Sequence, residues 1–313
     1  MCGIVGYLNK SGAVCPIGRT MLSMLQALGR RGPDSAGIAV YGPEDDETVI
    51  LRVKLGEHTV PAGRKDQVVA QAETLARVTQ AVVTGEYLRL VVEYDGQPAA
   101  LQQAIETVAP DVEVVSIGRA LEIVKQVGSP DNLDATYGVA EFVGTHAIGH
   151  TRLSTESRVD LSHSQPFWAH GTLDIAAVHN GHITNYHKLR RQYEMRGVRF
   201  YTENDSEIIG MYLADRMAQG LSFDQALRAS IRDLDGSFCY LAATADQLGF
   251  AKDSFGLKPL MVTETDEYVA IATEELALCA AFGQAVQARE PGPKSVRTWR
   301  LTAERKRQKG VAA

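Results

Sequence analysis

The strongest constraint on the fold is that the chain begins with a strand of the kind found in protein cores. Residues 2–8 of the opening sequence MCGIVGYLNK are mostly apolar and β-prone. A chain terminus is usually loose unless something ties it down. Cys2 offers a chemical reason for fixing this one, because removal of Met1 would place a thiol and a free α-amine on the same residue. A small strand residue without a chemical role is an equally good interpretation of Cys2 taken alone.

The α-amine of Cys2 would suit acid–base chemistry. A free α-amino group has a reference pKa of about 7.7–8.0, close to working pH, where a general base is most effective. It can accept the thiol proton and later return a proton to a leaving group. One N-terminal residue can therefore supply both nucleophile and base. We predict that the active protein lacks Met1.

Composition excludes several classes of protein. The 313 residues are 45% hydrophobic and 22% charged, which is typical of a globular chain. The formal net charge of −6, without a basic stripe, argues against nucleic acid as a partner. A signal peptide and a long apolar run are missing, so we predict a cytoplasmic protein that does not cross a membrane. The four cysteines form no CxxC pair, and carboxylates suited to the histidines are missing, so we predict no metal site.

Apolar spacing predicts a discontinuous domain organisation. Residues 1–42 and 143–300 would form the main domain, residues 43–142 a small α+β insert, and residues 301–313 a flexible tail. Strands are predicted at 35–41, 86–94, 112–117, 173–179, 237–244, 248–252 and 268–273. Helices are predicted at 17–30, 66–80, 98–108, 186–196, 205–218, 223–233 and 274–282. Strands and helices mixed in this order indicate an α+β sandwich.

Several polar residues carry groups that suit ligand binding or catalysis. Arg152, in GHTRLST, carries a planar fork that fits a carboxylate. Asn180 and Gly181, predicted to follow a strand, offer a side-chain amide and a backbone N–H for a developing oxyanion. Each has a simpler alternative: a surface charge for Arg152 and a hairpin turn for Asn-Gly. Asp205, in TENDSEII, lies just before a helix that Asn204, Asp205 or Ser206 could cap.

Six motifs in fixed order resemble the class II glutamine amidotransferases, an N-terminal-nucleophile hydrolase family. They are MCGIVG, RRGPDSAGIAVY, GHTRLST, VHNGHITNY, TENDSEII and DLDGSF, and the resemblance covers residues 1–42 and about 144–290. It implies a four-layer αββα sandwich. It also implies that Cys2 is the nucleophile that forms a thioester with glutamine, and that Asn180 and Gly181 form the oxyanion hole.

The same resemblance assigns the residues that bind glutamine. Arg152 would hold its α-carboxylate, helped by Thr155, and Asp205 its α-ammonium. Arg31 and Gly32 would shape the pocket wall and hold the N-terminus; an ordinary helix end is the alternative for this pair. Two departures, Leu153 for an aromatic residue and Glu156 for a histidine, make kinship with the sugar-phosphate aminotransferase branch less close.

Within the family, the stretches GRALEIVKQVGSP and GTHAIGHTRLSTES and the insert resemble the stand-alone amidotransferase subunits of glutamate-synthase-like enzymes, including N-methylglutamate synthase. The resemblance implies no cofactor in this chain and a separate ammonia-accepting synthase, a flavoprotein that carries FMN. Two alternatives stay open: a γ-glutamyl amide hydrolase that acts alone, and an inactive scaffold that binds a partner.

Overall fold

Two antiparallel sheets form the centre of the molecule. The computed structural model describes residues 2–57, 59–154 and 158–302. The first sheet has the spatial order β13 (Met261–Glu264), β14 (Tyr268–Ala272), β1 (Gly3–Asn9), β8 (His146–Arg152), β2 (Ser35–Tyr41) and β7 (Leu121–Val127). The second has the order β15 (Val296–Arg300), β12 (Gln247–Lys252), β11 (Gly236–Thr244), β10 (Ala176–Ile183) and β9 (Phe167–Trp168).

Helices cover the outer face of each sheet. On the first sheet lie α1 (Ile17–Ala27), α4 (Pro130–Tyr137), α8 (Glu275–Phe282) and a 3₁₀ turn (Val139–Glu141); the second carries α5 (Tyr186–Glu194), α6 (Glu207–Ala218) and α7 (Phe223–Asp233). In α7, Phe223, Leu227 and Ser230 are buried at helical spacing. Strand β2 is buried along its whole length, as expected of a strand with a helical layer on one face and a second sheet on the other. The predicted αββα sandwich is confirmed.

A third, four-stranded sheet forms the insert. Its spatial order is β4 (Arg77–Thr84), β5 (Tyr87–Glu93), β3 (Thr48–Lys54) and β6 (Glu113–Gly118), with helices α2 (Arg64–Ala72) and α3 (Pro98–Glu106). The helix predicted over 66–80 is wrong in its second part. Residues 77–84 are rich in valine and threonine, and they pair with β5 instead.

The predicted insert boundary at residue 142 is also wrong. Strand β7 pairs with β2 from Ser35↔Val127 to Tyr41↔Leu121, so it belongs to the first central sheet. The turn between β6 and β7 is fixed by Asp174, whose carboxylate accepts from the backbone N–H groups of Arg119, Ala120 and Leu121. The separate sheet therefore ends at Gly118, and the chain re-enters the main domain directly afterwards.

The described chain ends in ordered contacts at residues 301 and 302. Leu301 is buried, and its N–H donates to the Asp246 carbonyl; residues 303–313 of the predicted tail lie outside the described residues. Within the described part of the chain, no helix has the length and apolar character needed to cross a membrane.

Candidate active site

Cys2 lies at the start of β1, with its thiol directed at the end of β8. The Leu153 N–H is 3.4 Å from Sγ, and the Leu153 carbonyl is 3.6 Å away. The thiol is half-buried and free of any disulfide. Strand β1 is held on one side by β8 and on the other by Thr273, whose hydroxyl accepts from Ile4 N–H at 2.8 Å. The nucleophile candidate is thus accessible on a rigid strand.

Asn180 and Gly181 approach Cys2 from the second sheet. They lie inside β10, opposite Cys239 and Phe238 of β11, so the predicted strand end at residue 179 and the hairpin-turn alternative are both wrong. Asn180 Nδ2 donates to the Cys2 carbonyl at 3.2 Å. Gly181 has φ +139°, and a Cβ there would lie 2.2 Å from the Ser237 carbonyl oxygen, so the strand demands glycine at this point.

Arg31 and Gly32 pack against the same terminus. Arg31 Nε donates to the Cys2 carbonyl at 3.4 Å, and its Nη1 forms an ion pair with Glu274. A Cβ at Gly32 would lie 2.4 Å from the Thr151 carbonyl carbon, so only glycine allows this close approach to β8. Arg31, from the loop between α1 and β2, and Asn180, from β10, therefore both donate to the Cys2 carbonyl.

Arg152 ends β8 on the side of the nucleophile. It is buried, and Nη1 donates to the Arg158 carbonyl at 2.8 Å. Burial lowers the pKa of Arg152 from its usual value, while Cys2 and Asp160 oppose that shift. The surface-charge alternative is therefore wrong. Thr155, the other residue assigned to the carboxylate end of the substrate, lies outside the described residues.

Asp205 lies at the end of β10, beyond Asn180 and Gly181. Its Oδ2 accepts from Ile183 N–H at 2.7 Å and lies 3.5 Å from His182 Nδ1, while Oδ1 is 3.7 Å from His179 Nδ1. Its side chain is 15% exposed. The carboxylate holds a strand end, and no side-chain cap bond is formed at the start of α6. The helix-cap alternative does not describe Asp205.

Sequence inspection missed the polar side chains that support these residues. Asp34 accepts from Ser154 N–H at 2.7 Å and so fixes the loop after Arg152. The buried side chains of His150 and Gln165 contact β10 at its own residue His179. Asp34, His150 and His179 lie in quoted motifs, whereas Gln165 lies in none of them. The contacts among these side chains required knowledge of which strands meet.

Three of the described histidines, His146, His150 and His179, are buried in the protein interior. His146 and His150 have HxxxH spacing, but they lie on a strand, and the Nε2 atom of each faces a backbone carbonyl, of Thr244 at 2.7 Å and of His179 at 3.1 Å. The described residues contain no group of three or more His, Cys, Asp and Glu side chains suited to a metal ion.

We expect acid to destabilise the protein through His150. Burial lowers the pKa of His150 from 6.5 to about 3, so in this range the unfolded chain binds a proton that the folded chain does not. The free energy of unfolding should fall as pH drops below 6.5, by about 1.4 kcal/mol per pH unit. Urea unfolding at pH 7.5, 6.0 and 5.0 measures this slope. A His150→Gln variant should show a shallower slope, and equal slopes would contradict the assignment.

Comparison with known proteins assigns the family. The sequence profile of the glutamine amidotransferase domain matches residues 150–280. The chain is 39% identical over 289 residues to a "Putative glutamine amidotransferase" of Methanothermobacter thermautotrophicus, covering 89% of this chain and 93% of the relative. The chain belongs to the class II glutamine amidotransferases. This amidotransferase is also 35% identical over 305 residues to the glutamine amidotransferase-like protein GlxB of Rhizobium meliloti, covering 96% and 98% of the two chains.

Solved structures confirm the fold of this amidotransferase. The glutamine phosphoribosylpyrophosphate amidotransferase of B. subtilis superposes with a TM-score of 0.60 at 18% sequence identity. The match covers 96% of this chain and 50% of the B. subtilis chain, so the amidotransferase spans half the length of that enzyme. At this identity the likeness concerns the fold, an α+β sandwich of the N-terminal-nucleophile type.

Proposed function

We propose that this amidotransferase hydrolyses the side-chain amide of glutamine through a Cys2 thioester and delivers the ammonia to a separate synthase subunit. The observation that carries the proposal is that strands of the two central sheets meet at Cys2. Cys2 begins β1 of one sheet, and the Asn180 amide from the other sheet reaches its carbonyl at 3.2 Å. Gly181 follows in the same strand, and Arg152 ends the strand next to β1.

In the proposed reaction, the Cys2 thiolate attacks the amide carbon of glutamine. The α-amine accepts the thiol proton and passes a proton to the leaving nitrogen, so ammonia departs and a thioester remains. Water then hydrolyses the thioester, which yields glutamate and restores the thiol. The Asn180 amide and the Gly181 N–H would stabilise the oxyanion in both steps. This requires the Asn180 amide to turn from the Cys2 carbonyl toward the substrate.

Glutamine recognition would use opposite charges at two ends of the pocket. The buried guanidinium of Arg152 would pair with the α-carboxylate, and the assignment of Thr155 to the same end of the substrate rests on the family resemblance alone. The Asp205 carboxylate pairs with the α-ammonium. Arg31 and Gly32 keep the Cys2 backbone in place, through the Arg31 bond to the Cys2 carbonyl and the close contact of Gly32 with β8.

The proposed acceptor of the ammonia is a flavoprotein of the glutamate-synthase or N-methylglutamate-synthase type. The support is the resemblance of residues 118–130 and 144–157 to the stand-alone subunits of those enzymes. FMN would be bound by the partner subunit. The relative named GlxB, a glutamine amidotransferase-like protein, matches along almost its whole length, which supports the amidotransferase part of the proposal.

Glutamate release from glutamine by the purified, Met1-free chain tests the proposal. The assay is run alone and with a candidate flavoprotein subunit, and free ammonia is measured alongside glutamate. We expect glutamate release, with less free ammonia when the partner and its acceptor substrate are present. If the partner and its acceptor substrate do not lower the amount of free ammonia released, the γ-glutamyl amide hydrolase is favoured. Absence of release under both conditions would favour the inactive scaffold.

A further inference from the structure

Gln165 lies beside β10, the strand that carries the oxyanion-hole candidates Asn180 and Gly181. Strand β9 pairs with β10 at Trp168↔Ala176 and Phe167↔Ala177, and continuing this register puts Gln165 opposite His179. The ladder itself stops at Phe167. From there, within the described part of the chain, the edge of β10 next to Asn180 has no neighbouring strand on this side, although His179 and Asn180 are buried. Buried backbone groups need partners, so something must replace the missing strand.

The side-chain amide of Gln165 takes the place of the missing strand beside β10. Oε1 accepts from His179 N–H at 2.7 Å, and Nε2 donates to the His179 carbonyl at 3.3 Å. A primary amide presents one acceptor and donors in the same geometry as a peptide group, so it completes the ladder at this residue. His179 directly precedes Asn180. The peptide that aims Asn180 and Gly181 is therefore held by this amide.

The second Nε2 hydrogen links the strand to the helix that follows Asp205. Nε2 donates to Ser206 Oγ at 3.0 Å, and Ser206 Oγ lies 2.8 Å from His179 Nδ1. Burial lowers the pKa of His179, and the tautomer of its ring sets which atom donates in the contact between Nδ1 and Ser206 Oγ. Each hydrogen of the Gln165 amide thus has its own acceptor. Ser206 is the residue next to Asp205.

The backbone of Gln165 is fixed by the first sheet. A Cβ added to Gly37 of β2 would lie 2.2 Å from the Gln165 carbonyl oxygen, so the two backbones are in direct contact. His150, next to Gly37 in the same sheet, places Nε2 3.1 Å from the His179 carbonyl. Gln165 is consequently anchored on one sheet and holds a strand of the other.

We propose that Gln165 is a positioning residue that sets the oxyanion donors and the ammonium-binding carboxylate in register with each other. The inference rests on the proposed function, which gives Asn180, Gly181 and Asp205 their roles. The contacts of the Gln165 side chain form two branches. One branch runs through His179 to Asn180 and affects the reaction step. The other runs through Ser206 to Asp205 and affects glutamine binding.

Measurements of kcat and KM distinguish the two branches. Gln165→Met keeps the length of the side chain and removes every hydrogen bond, so kcat should fall by about 100-fold, the typical cost of a small misplacement, and KM should rise. Ser206→Ala leaves the bonds between Gln165 and His179 in place, so KM should rise severalfold with a smaller change in kcat. Thr145→Ala is the matched control: it removes an equally buried hydroxyl, bonded to the Tyr41 carbonyl at 3.3 Å, at the opposite end of β8 from Arg152, and should leave kcat and KM unchanged.

Gln165→Glu adds a pH signature that a merely structural role would not produce. An ionised carboxylate accepts from His179 N–H but repels the His179 carbonyl, whereas a protonated carboxyl regains a donor. Residue 165 is buried, and burial raises the pKa of a carboxyl, so the ratio of variant to wild-type kcat should rise as pH falls from 8 to 6. If Gln165→Met does not fold, the pH dependence of Gln165→Glu tests the proposed role of Gln165 by itself.

Glutamine affinity, measured by calorimetry in a Cys2→Ala background, completes the test. Kinetic constants of folded Gln165→Met within twofold of wild type, or a pH-independent ratio for Gln165→Glu, would overturn the inference. If the wild-type chain is active while these variants are normal, only the role of Gln165 fails. If the wild-type chain neither releases glutamate nor binds glutamine, the proposed function fails.

Discussion

Cys2→Ala is expected to remove glutamate release completely within the limits of the assay. Loss of the nucleophile typically costs a hydrolase on the order of a millionfold in kcat. The fold should persist, because Cys2 contributes mainly through its carbonyl, which accepts from Arg31 and Asn180 and is unchanged by the substitution. The measurement is glutamate released per minute by folded protein, with folding checked by circular dichroism.

Cys15→Ala is the matched control for this prediction. Cys15 is a free, half-buried cysteine like Cys2, but its Sγ donates to the Gly144 carbonyl at 3.5 Å and burial raises its pKa. A thiol with a raised pKa is a poor nucleophile at neutral pH. Cys15→Ala should therefore retain full activity. Activity that survives Cys2→Ala and disappears in Cys15→Ala would contradict the proposed nucleophile.

The same mechanism requires that the active protein lack Met1. An attached methionine would convert the Cys2 amine into an amide, which cannot act as a base. Intact-mass analysis of active preparations should show the mass of the chain that begins at Cys2. Full activity in a preparation that retains Met1 would remove the α-amine from the mechanism and leave the thiol without the base proposed here.

The sequence predicted those parts of the fold whose signal is local. Strand β2 and helix α7 have apolar spacing that fits one structure, and the structure has them at 35–41 and 223–233 as predicted. The candidate residues were found because each carries a chemical group at a motif. Sequence order alone, however, does not bring Asn180 to Cys2; that contact depends on the packing of two sheets.

The errors occurred where tertiary contacts override local signals. Residues 66–80 carry apolar side chains along their whole length, so no break in the pattern separates a helix from the start of β4; pairing with β5 decides the difference. Residues 121–127 carry no site motif and so fall inside the predicted insert, yet they form β7, for which β2 is a full-length partner. Gln165 shows the same limit in the site. Its role can be seen only once the pairing of β9 with β10 is known to stop at Phe167, two residues away.

Asn180→Ala should lower kcat by about 100–1,000-fold while glutamine still binds. Removing one oxyanion donor typically costs about 2.7–4 kcal/mol of transition-state stabilisation. Asn180 is buried in β10 with its backbone paired to Cys239, so alanine at this position keeps the strand. Kinetics at saturating glutamine give kcat, and calorimetry in a Cys2→Ala background gives the affinity.

The control for Asn180→Ala is Asn9→Ala at the far end of β1. Asn9 also uses its side-chain amide on a backbone carbonyl, that of Ala13 at 2.9 Å, but it lies at the opposite end of the strand from Cys2. Its replacement should cost some stability and no activity. A hydrolysis rate that Asn180→Ala leaves unchanged would mean that the oxyanion is held by other donors, and the backbone N–H of Leu153, 3.4 Å from the thiol, would then be the next candidate.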